Sequence, residues 1–184
     1  MNSRPTVHVV QFFDSDPALI DAACRYIQEG IEMDETCIAL TTGARLEAIA
    51  TRLAAFGLNA EALLSAYRYV AVDAHMALQR FLGGEGPDQQ RFHRHMGTLI
   101  RQAGARGKPV RIFGQMASLL FESGRARCAL RLEEMWNEVS RFHTFKLMCA
   151  YSPGALPHDS PLRRRVCTIH GCALDEARPA TVVD

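Results

Sequence analysis

Cys167, His170 and Cys172 place two thiols and an imidazole within six residues of a 184-residue chain. Such a set offers three ligands to zinc or another thiophilic metal. On a continuous helix Cys167 and His170 share a face, whereas Cys172 joins them only if the helix ends near Gly171. A closed zinc site wants a fourth ligand, which His158 or Cys149 can supply only if the fold brings it close. A thiol-redox sensor is the alternative use of the same residues. His93 and His95 look like a second pair, but residues two apart on a helix point to different faces, so a solvated surface is the reading there. Glu133 and Asn137, four apart, do share a face, toward either a pocket or water.

A different chemistry is offered by the polar residues that follow the apolar runs. They are Asp14 and Asp16, then Thr41-Thr42-Gly43, Asp73, Gln115, and Tyr151-Ser152. This rim holds acids, amides, hydroxyls and a phenol but hardly any cation, which suits a small polar ligand better than a polyphosphate. The phosphate loop G-x-x-x-x-G-K-[ST] occurs nowhere, and the first turn has two carboxylates where phosphate would sit. The nucleophile elbow G-x-S-x-G is absent too, so no catalytic residue and no cofactor is assigned. Asp16 and Asp73 can equally be helix caps and nothing more. Gln115 and Tyr151 are the sharper candidates, since neither is needed for an apolar stripe.

The elements that must position these residues alternate along the chain. Apolar runs at 7–12, 36–41, 67–72, 109–113 and 145–151 read as strands. Asp16 caps a first helix with Pro17 behind it, burying Ile20, Ala23, Cys24 and Ile27 and stopping at Gly30-Ile31. The best-patterned helix is expected from about 125 to 143, burying Cys128, Leu132, Met135, Trp136, Val139 and Phe142 beneath a face of alternating charge. Residues 83–88 read as a loop, and Ser160-Pro161 opens a last helix. The expectation is an α/β, three-layer fold, with a mainly parallel sheet of at least five strands and helices on both faces. One domain spans 1–172, followed by a mobile tail over 173–184. Ligands of such folds bind outside the carboxyl ends of the strands.

A formal net charge of +1, with 22% charged residues, gives no electrostatic footprint for nucleic acid or an anionic membrane. The run Arg163-Arg164-Arg165 is too short to change that. No apolar stretch approaches a membrane span, and MNSRPTVHV lacks the apolar core of a secretory signal, so a cytoplasmic location is expected. There the cysteines would stay reduced.

Six strings in series then acquire a meaning together. They are HVVQFFDSD at 8–16, YVAVDA at 69–74, RIFGQM at 111–116, LRLEEMWN at 130–137, CAYS at 149–152 and VCTIH at 166–170. In this order they resemble the MEDS family, the sensory domain of methanogens, methylotrophs and the regulator of dichloromethane dehalogenase. The resemblance covers roughly residues 7 to 172. It implies a RecA- and KaiC-like core without a working phosphate loop, acting as a sensory input domain for histidine kinases or transcription regulators. Small hydrocarbon derivatives are the implied signal class. The matching positions are His8, Gln11, Asp14, Asp16, Glu133, Trp136, Asn137, Tyr151 and His170. Gln115 departs from the family, which usually has glutamate there.

With no kinase, receiver or helix-turn-helix region in the sequence, the expected partner is a separate histidine kinase or transcription/sigma-type regulator, or a homo-oligomer. The ligand-binding candidates are therefore His8, Gln11, Asp14, Asp16, Asp73, Gln115, Glu133, Asn137 and Tyr151. Three alternatives stand beside this reading: the metal or redox sensor at Cys167, His170 and Cys172, a residual nucleotide binder, and a pure interaction protein using the charged face of the 125–143 helix.

Overall fold

The alternation of strand and helix builds a five-stranded parallel sheet, whose strands lie side by side in the order 7–12, 146–151, 110–114, 36–41 and 69–73. The structure is a computed structural model and describes residues 7–170. Its strands are β1 (Val7–Phe12), β2 (Thr36–Thr41), β3 (Tyr69–Asp73), β6 (Val110–Gly114) and β7 (Lys146–Tyr151). A small antiparallel hairpin, β4 (Leu82–Gly83) with β5 (Gly86–Pro87), stands apart. The helices are α1 (Asp16–Glu32), α2 (Gly43–Ala55), α3 (Ala60–Ser65), α4 (Ala74–Gln79), α5 (Gln89–Ala103), α6 (Met116–Glu122), α7 (Ala126–Val139) and α8 (Pro161–Ile169).

The period of two in each strand divides the core into two layers. On β2, Cys37 and Ala39 face a core made with α1, α2 and α3, through Leu19, Ala23, Cys24, Ile27, Ile49 and Leu53. Ile38 and Leu40 face the other way, toward Phe92 and Met96 of α5, Leu120 of α6, Leu132 and Trp136 of α7 and Val166 of α8. β2 is buried along its whole length, as a strand covered on both faces must be. β1 is different. It is an edge strand paired only with β7, and Val7 and Val9 are exposed on the side that faces away from the larger core.

The helix starts are set by short polar side chains. Thr42, Asn59, Asp73, Asp88 and Ser160 each accept a bond from a backbone N–H in the first turn of the helix they precede. At α1 the cap is Ser15, not Asp16: Ser15 is extended and its Oγ accepts from the Ala18 N–H at 3.3 Å. Asp16 is thereby freed to pair with Arg45 at 2.8 Å. α1 also runs through Gly30 instead of stopping there. A Cβ on Gly30 would collide with Cys37 Sγ and stand 2.9 Å from Arg111 Cδ, so the glycine serves close packing and not a helix end.

Two further expectations change. The stretch read as a loop over 83–88 holds most of the hairpin, which begins at Leu82, and Phe142 is 75% exposed because α7 ends at Val139, before the helical period can carry the ring inward. Trp136, by contrast, is buried, edge-on to Phe92 at 5.1 Å and to Phe145 at 5.7 Å. Cys172 and the 173–184 segment read as a tail lie outside the described residues. No helix among the described residues is long and apolar enough to cross a membrane.

Candidate functional site

The buried face of α7 carries Ala129, Leu132, Glu133, Met135, Trp136 and Val139, so an acid occupies a position that its neighbours fill with carbon. Glu133 is fully buried. Its carboxylate meets side chains from the edge of the sheet and from the end of the last helix. Alternation along β1 turns His8 to the same side as Val10 and Phe12, and β7 lies alongside, in register Val10 to Cys149 and Phe12 to Tyr151. His170 caps the C-terminus of α8.

The contacts are short. Tyr151 donates its hydroxyl to Glu133 Oε1 at 2.7 Å, and Cys149 donates its thiol to Glu133 Oε2 at 3.1 Å. His8 Nε2 lies 3.4 Å from Glu133 Oε2 and 3.3 Å from Cys149 Sγ. His170 Nε2 also lies 3.4 Å from Glu133 Oε2 but in a geometry that makes no hydrogen bond. The two imidazole rings stand 4.1 Å apart, centre to centre.

The outer nitrogens of both imidazoles are anchored. His170 Nδ1 lies 2.7 Å from the Val166 carbonyl, which can only accept, so Nδ1 carries the hydrogen. Asn137 donates from Nδ2 to the Ile169 carbonyl at 3.0 Å, which fixes its amide and turns Oδ1 toward His8 Nδ1 at 2.8 Å. Both histidines therefore hold their Nδ1–H outward and present Nε2 to the carboxylate.

Electrostatics follow from the burial. Burial pushes the Glu133 carboxyl upward, but the imidazoles of His170 and His8 overcome that and hold it well below the usual carboxylate range. For His170 burial pulls downward, and Glu133 with the Val166 carbonyl more than offsets it, raising the imidazole. The Cys149 thiol and the Tyr151 phenol are both pushed well up, first by burial and then by the Glu133 charge. The cluster thus favours a cation beside one carboxylate, with neutral thiol and phenol donors around it.

Of the candidates read from the sequence, His8, Glu133, Asn137 and Tyr151 come together here, along with His170. Cys149, considered only as a fourth ligand, is part of the same group. Cys167 is buried in α8 outside the set of donor atoms that close on Glu133, and His158 is exposed beside Asp159. Gln11 sits on the opposite face of β1 from His8, because three residues reverse the pleat. Asp14 is exposed in the first turn. Asp16 lines an open groove between α1 and α2 and is bound to Arg45 there. Asp73 caps α4, accepting from the Met76 N–H at 3.0 Å.

Gln115 belongs to a separate network. The connection from β2 leads outward to β3 while that from β6 leads back to β7, so the topological switch point lies between β2 and β6. In many doubly wound folds that crevice holds the ligand. Here Thr41 donates to Gln115 Oε1, Gln115 Nε2 donates to Ser152 Oγ at 3.2 Å, and Ser118 Oγ accepts from the Ser152 N–H at 2.9 Å. All of these side chains are buried. The protein's own amide and hydroxyls fill the crevice and satisfy one another. Gln115 and Tyr151 are thus buried in the core, although neither belongs to an apolar stripe.

Sequence reasoning missed a second buried charge group at the amino ends of the strands. Arg111 of β6 bonds Glu35 at 2.5 Å and Glu29 at 3.0 Å, and stacks over the Tyr26 ring at 4.6 Å. Lys146 of β7 reaches Glu35 at 2.7 Å. A lone arginine inside an apolar strand was the available signal.

Residues 7–170 match the family model described as MEDS, MEthanogen/methylotroph, DcmR Sensory domain. No curated protein matches the chain.

Proposed function

Because the chain belongs to the MEDS family of sensory domains, we propose that it receives its signal at the Glu133 cluster and reports to a separate regulator without catalysing a reaction. The observation that carries this reading is a carboxylate with no exposure, ringed by His8, Cys149, Tyr151 and His170. Burying a charge is expensive and adds little to stability compared with packed hydrocarbon, so such a group in an otherwise apolar row is kept for something other than folding.

The position suits a receiver. The cluster ties the edge strand β1 to β7, α7 and the end of α8. A change in its charge or occupancy alters how α8 and β1 seat on the core, and both lie at the periphery where a partner can read them. A histidine kinase or a transcription/sigma-type regulator is the class of partner such a module serves, with a small molecule as the signal. The strand ends support a ligand less well, since Gln115, Thr41, Ser118 and Ser152 already satisfy one another.

The test is a strain lacking the chain, complemented with wild type, Glu133→Gln or Asp14→Asn at equal protein levels. Wild type and Asp14→Asn should restore the transcript profile, and Glu133→Gln should not. Full restoration by Glu133→Gln would sink the reading.

A further inference from the structure

Four donor atoms, His8 Nε2, Glu133 Oε2, Cys149 Sγ and His170 Nε2, all lie within 4.8 Å of one another. We infer that they form a binding site for one divalent transition-metal ion of the zinc class. The inference deepens the reading of this cluster as the receiving centre and rests on it for the ion's role.

The first argument is size. Metal–ligand bonds of 2.0–2.3 Å at tetrahedral angles put neighbouring ligand atoms about 3.3–3.6 Å apart. The separations here are 3.4 Å for His8 to Glu133, 3.4 Å for His170 to Glu133, 3.3 Å for His8 to Cys149 and 3.1 Å for Cys149 to Glu133. Four of the six edges of a small tetrahedron are already drawn, and the other two lie within 4.8 Å.

The second argument is a shortage of hydrogens. Each histidine has its Nδ1–H committed outward, to the Val166 carbonyl and to Asn137 Oδ1. Each Nε2 then faces the carboxylate either as the N–H of an imidazolium or, where a metal ion takes the place of that proton, as a lone pair. Two such nitrogens meet a carboxylate oxygen and a sulfur, and the hydrogen bond that reaches Glu133 Oε2 comes from the Cys149 thiol. His170 Nε2 is buried without a hydrogen-bond partner and aimed into this space. An acceptor-rich centre of this kind is completed by a cation. One divalent ion with the Glu133 carboxylate and the Cys149 thiolate sums to zero charge, which a site closed to water requires. The thiol proton is released to solvent on binding.

The third argument is the surround. Metal-binding histidines characteristically donate their other N–H to a carbonyl or carboxylate, and ligating carboxylates are themselves hydrogen-bonded. Both histidines and Glu133, through the Tyr151 hydroxyl, meet that description. The donor set of two imidazoles, one thiolate and one carboxylate favours a zinc-class ion over calcium or magnesium, which take oxygen ligands. His8 keeps 8% side-chain exposure against 0% for Glu133 and His170, so the approach lies along the β1 edge.

The test uses the full chain, stripped with a chelator and titrated with cobalt(II) without oxygen. One equivalent should bind, with a thiolate-to-cobalt charge-transfer band and visible bands of tetrahedral intensity, and zinc should displace it. X-ray absorption of that wild-type complex should count one sulfur. Cys149→Ser should abolish the charge-transfer band, Cys128→Ser should leave it, and Asn137→Ala should weaken binding roughly 10- to 100-fold. No stoichiometric uptake, a sulfur count other than one, or a band that survives Cys149→Ser overturns the site. If Cys149→Ser fails to fold, the wild-type sulfur count decides. Uptake is read on the isolated protein and sensing in the cell, so the two readings fail separately. Uptake with a normal transcript response to Glu133→Gln removes the sensory role, and a lost response without uptake removes the ion.

Discussion

The hydroxyl of Tyr151 donates to Glu133 at 2.7 Å, joining the last residue of β7 to the middle of α7 inside the core. The ring itself packs between Phe12 at 5.1 Å and Phe121 at 5.8 Å. Ring and hydroxyl can be separated by mutation. Tyr151→Phe keeps the packing and leaves a buried carboxylate short of one charge-assisted bond, so thermal unfolding should show a loss of about 1–3 kcal/mol. Tyr151→Ala should cost more, about 3–5 kcal/mol, because it also opens a cavity. A Tyr151→Phe variant as stable as wild type would mean that the hydroxyl contact is not formed.

The Arg111–Glu35 pair gives a second expectation. Both side chains are almost fully buried, so Arg111→Met leaves the Glu35 charge with only Lys146 as a partner and should destabilise by about 3–5 kcal/mol in urea unfolding. Arg111→Met with Glu35→Leu removes both charges and should recover most of that loss. A double variant no better than the single one would show that the ion pair itself, and not an uncompensated charge, sets the stability.

Trp136 fills the contact of α7 with α5 and the sheet. Trp136→Ala should cost about 3–5 kcal/mol by calorimetry. A wild-type melting temperature would place the ring at a surface and so at an interface.

Thiol reactivity should follow burial. Burial pushes the Cys37 thiol up to about 12 and the Cys24 thiol up to about 11, in each case as the largest cause. A raised value keeps the thiol protonated at pH 8 and reactive only when the chain opens, since the thiolate is the nucleophile. Of the described cysteines, an alkylating reagent at pH 8 should therefore modify the partly buried Cys128 first, and should reach Cys24 and Cys37 only under denaturing conditions. Mass mapping of the modified peptides reads the order directly.

Nucleotide affinity should be negligible. The first turn, Phe13-Asp14-Ser15, has neither glycine nor lysine, and each carboxylate near a phosphate costs on the order of 1 kcal/mol or more. β1 is moreover at the sheet edge, and the switch point is filled by Gln115 and its partners. Titration of a fluorescent ATP with magnesium should show no saturation, and micromolar binding would mean that another loop has taken the phosphate role.

Local rules were enough to read much of this protein from its sequence. The bounds of β1 and β2 follow from apolar runs alone, and Ser160-Pro161 opens α8 because a short hydroxyl followed by proline suits a helix start. The α/β class follows from the alternation, and the order of six strings carries the family. Where a rule depends on the neighbour in sequence, it works until two residues compete: Ser15 takes the cap from Asp16 because its backbone is already extended, and Phe142 escapes the core because the helix stops three residues earlier.

The centre itself was decided only by tertiary structure. His8 and Asn137 lie 129 residues apart, and His8 and Cys149 lie 141 apart. Nothing in the spacing of those residues relates them. What does is the strand order, which lays β1 beside β7, and the crossing of α7 and α8 over that pair. The local string Cys167–Cys172 drew attention because its members are close in sequence, yet of its described members only His170 joins the cluster. Side chains meet according to which elements pack, and packing is chosen by the summed burial of whole faces rather than by the few residues that do the chemistry.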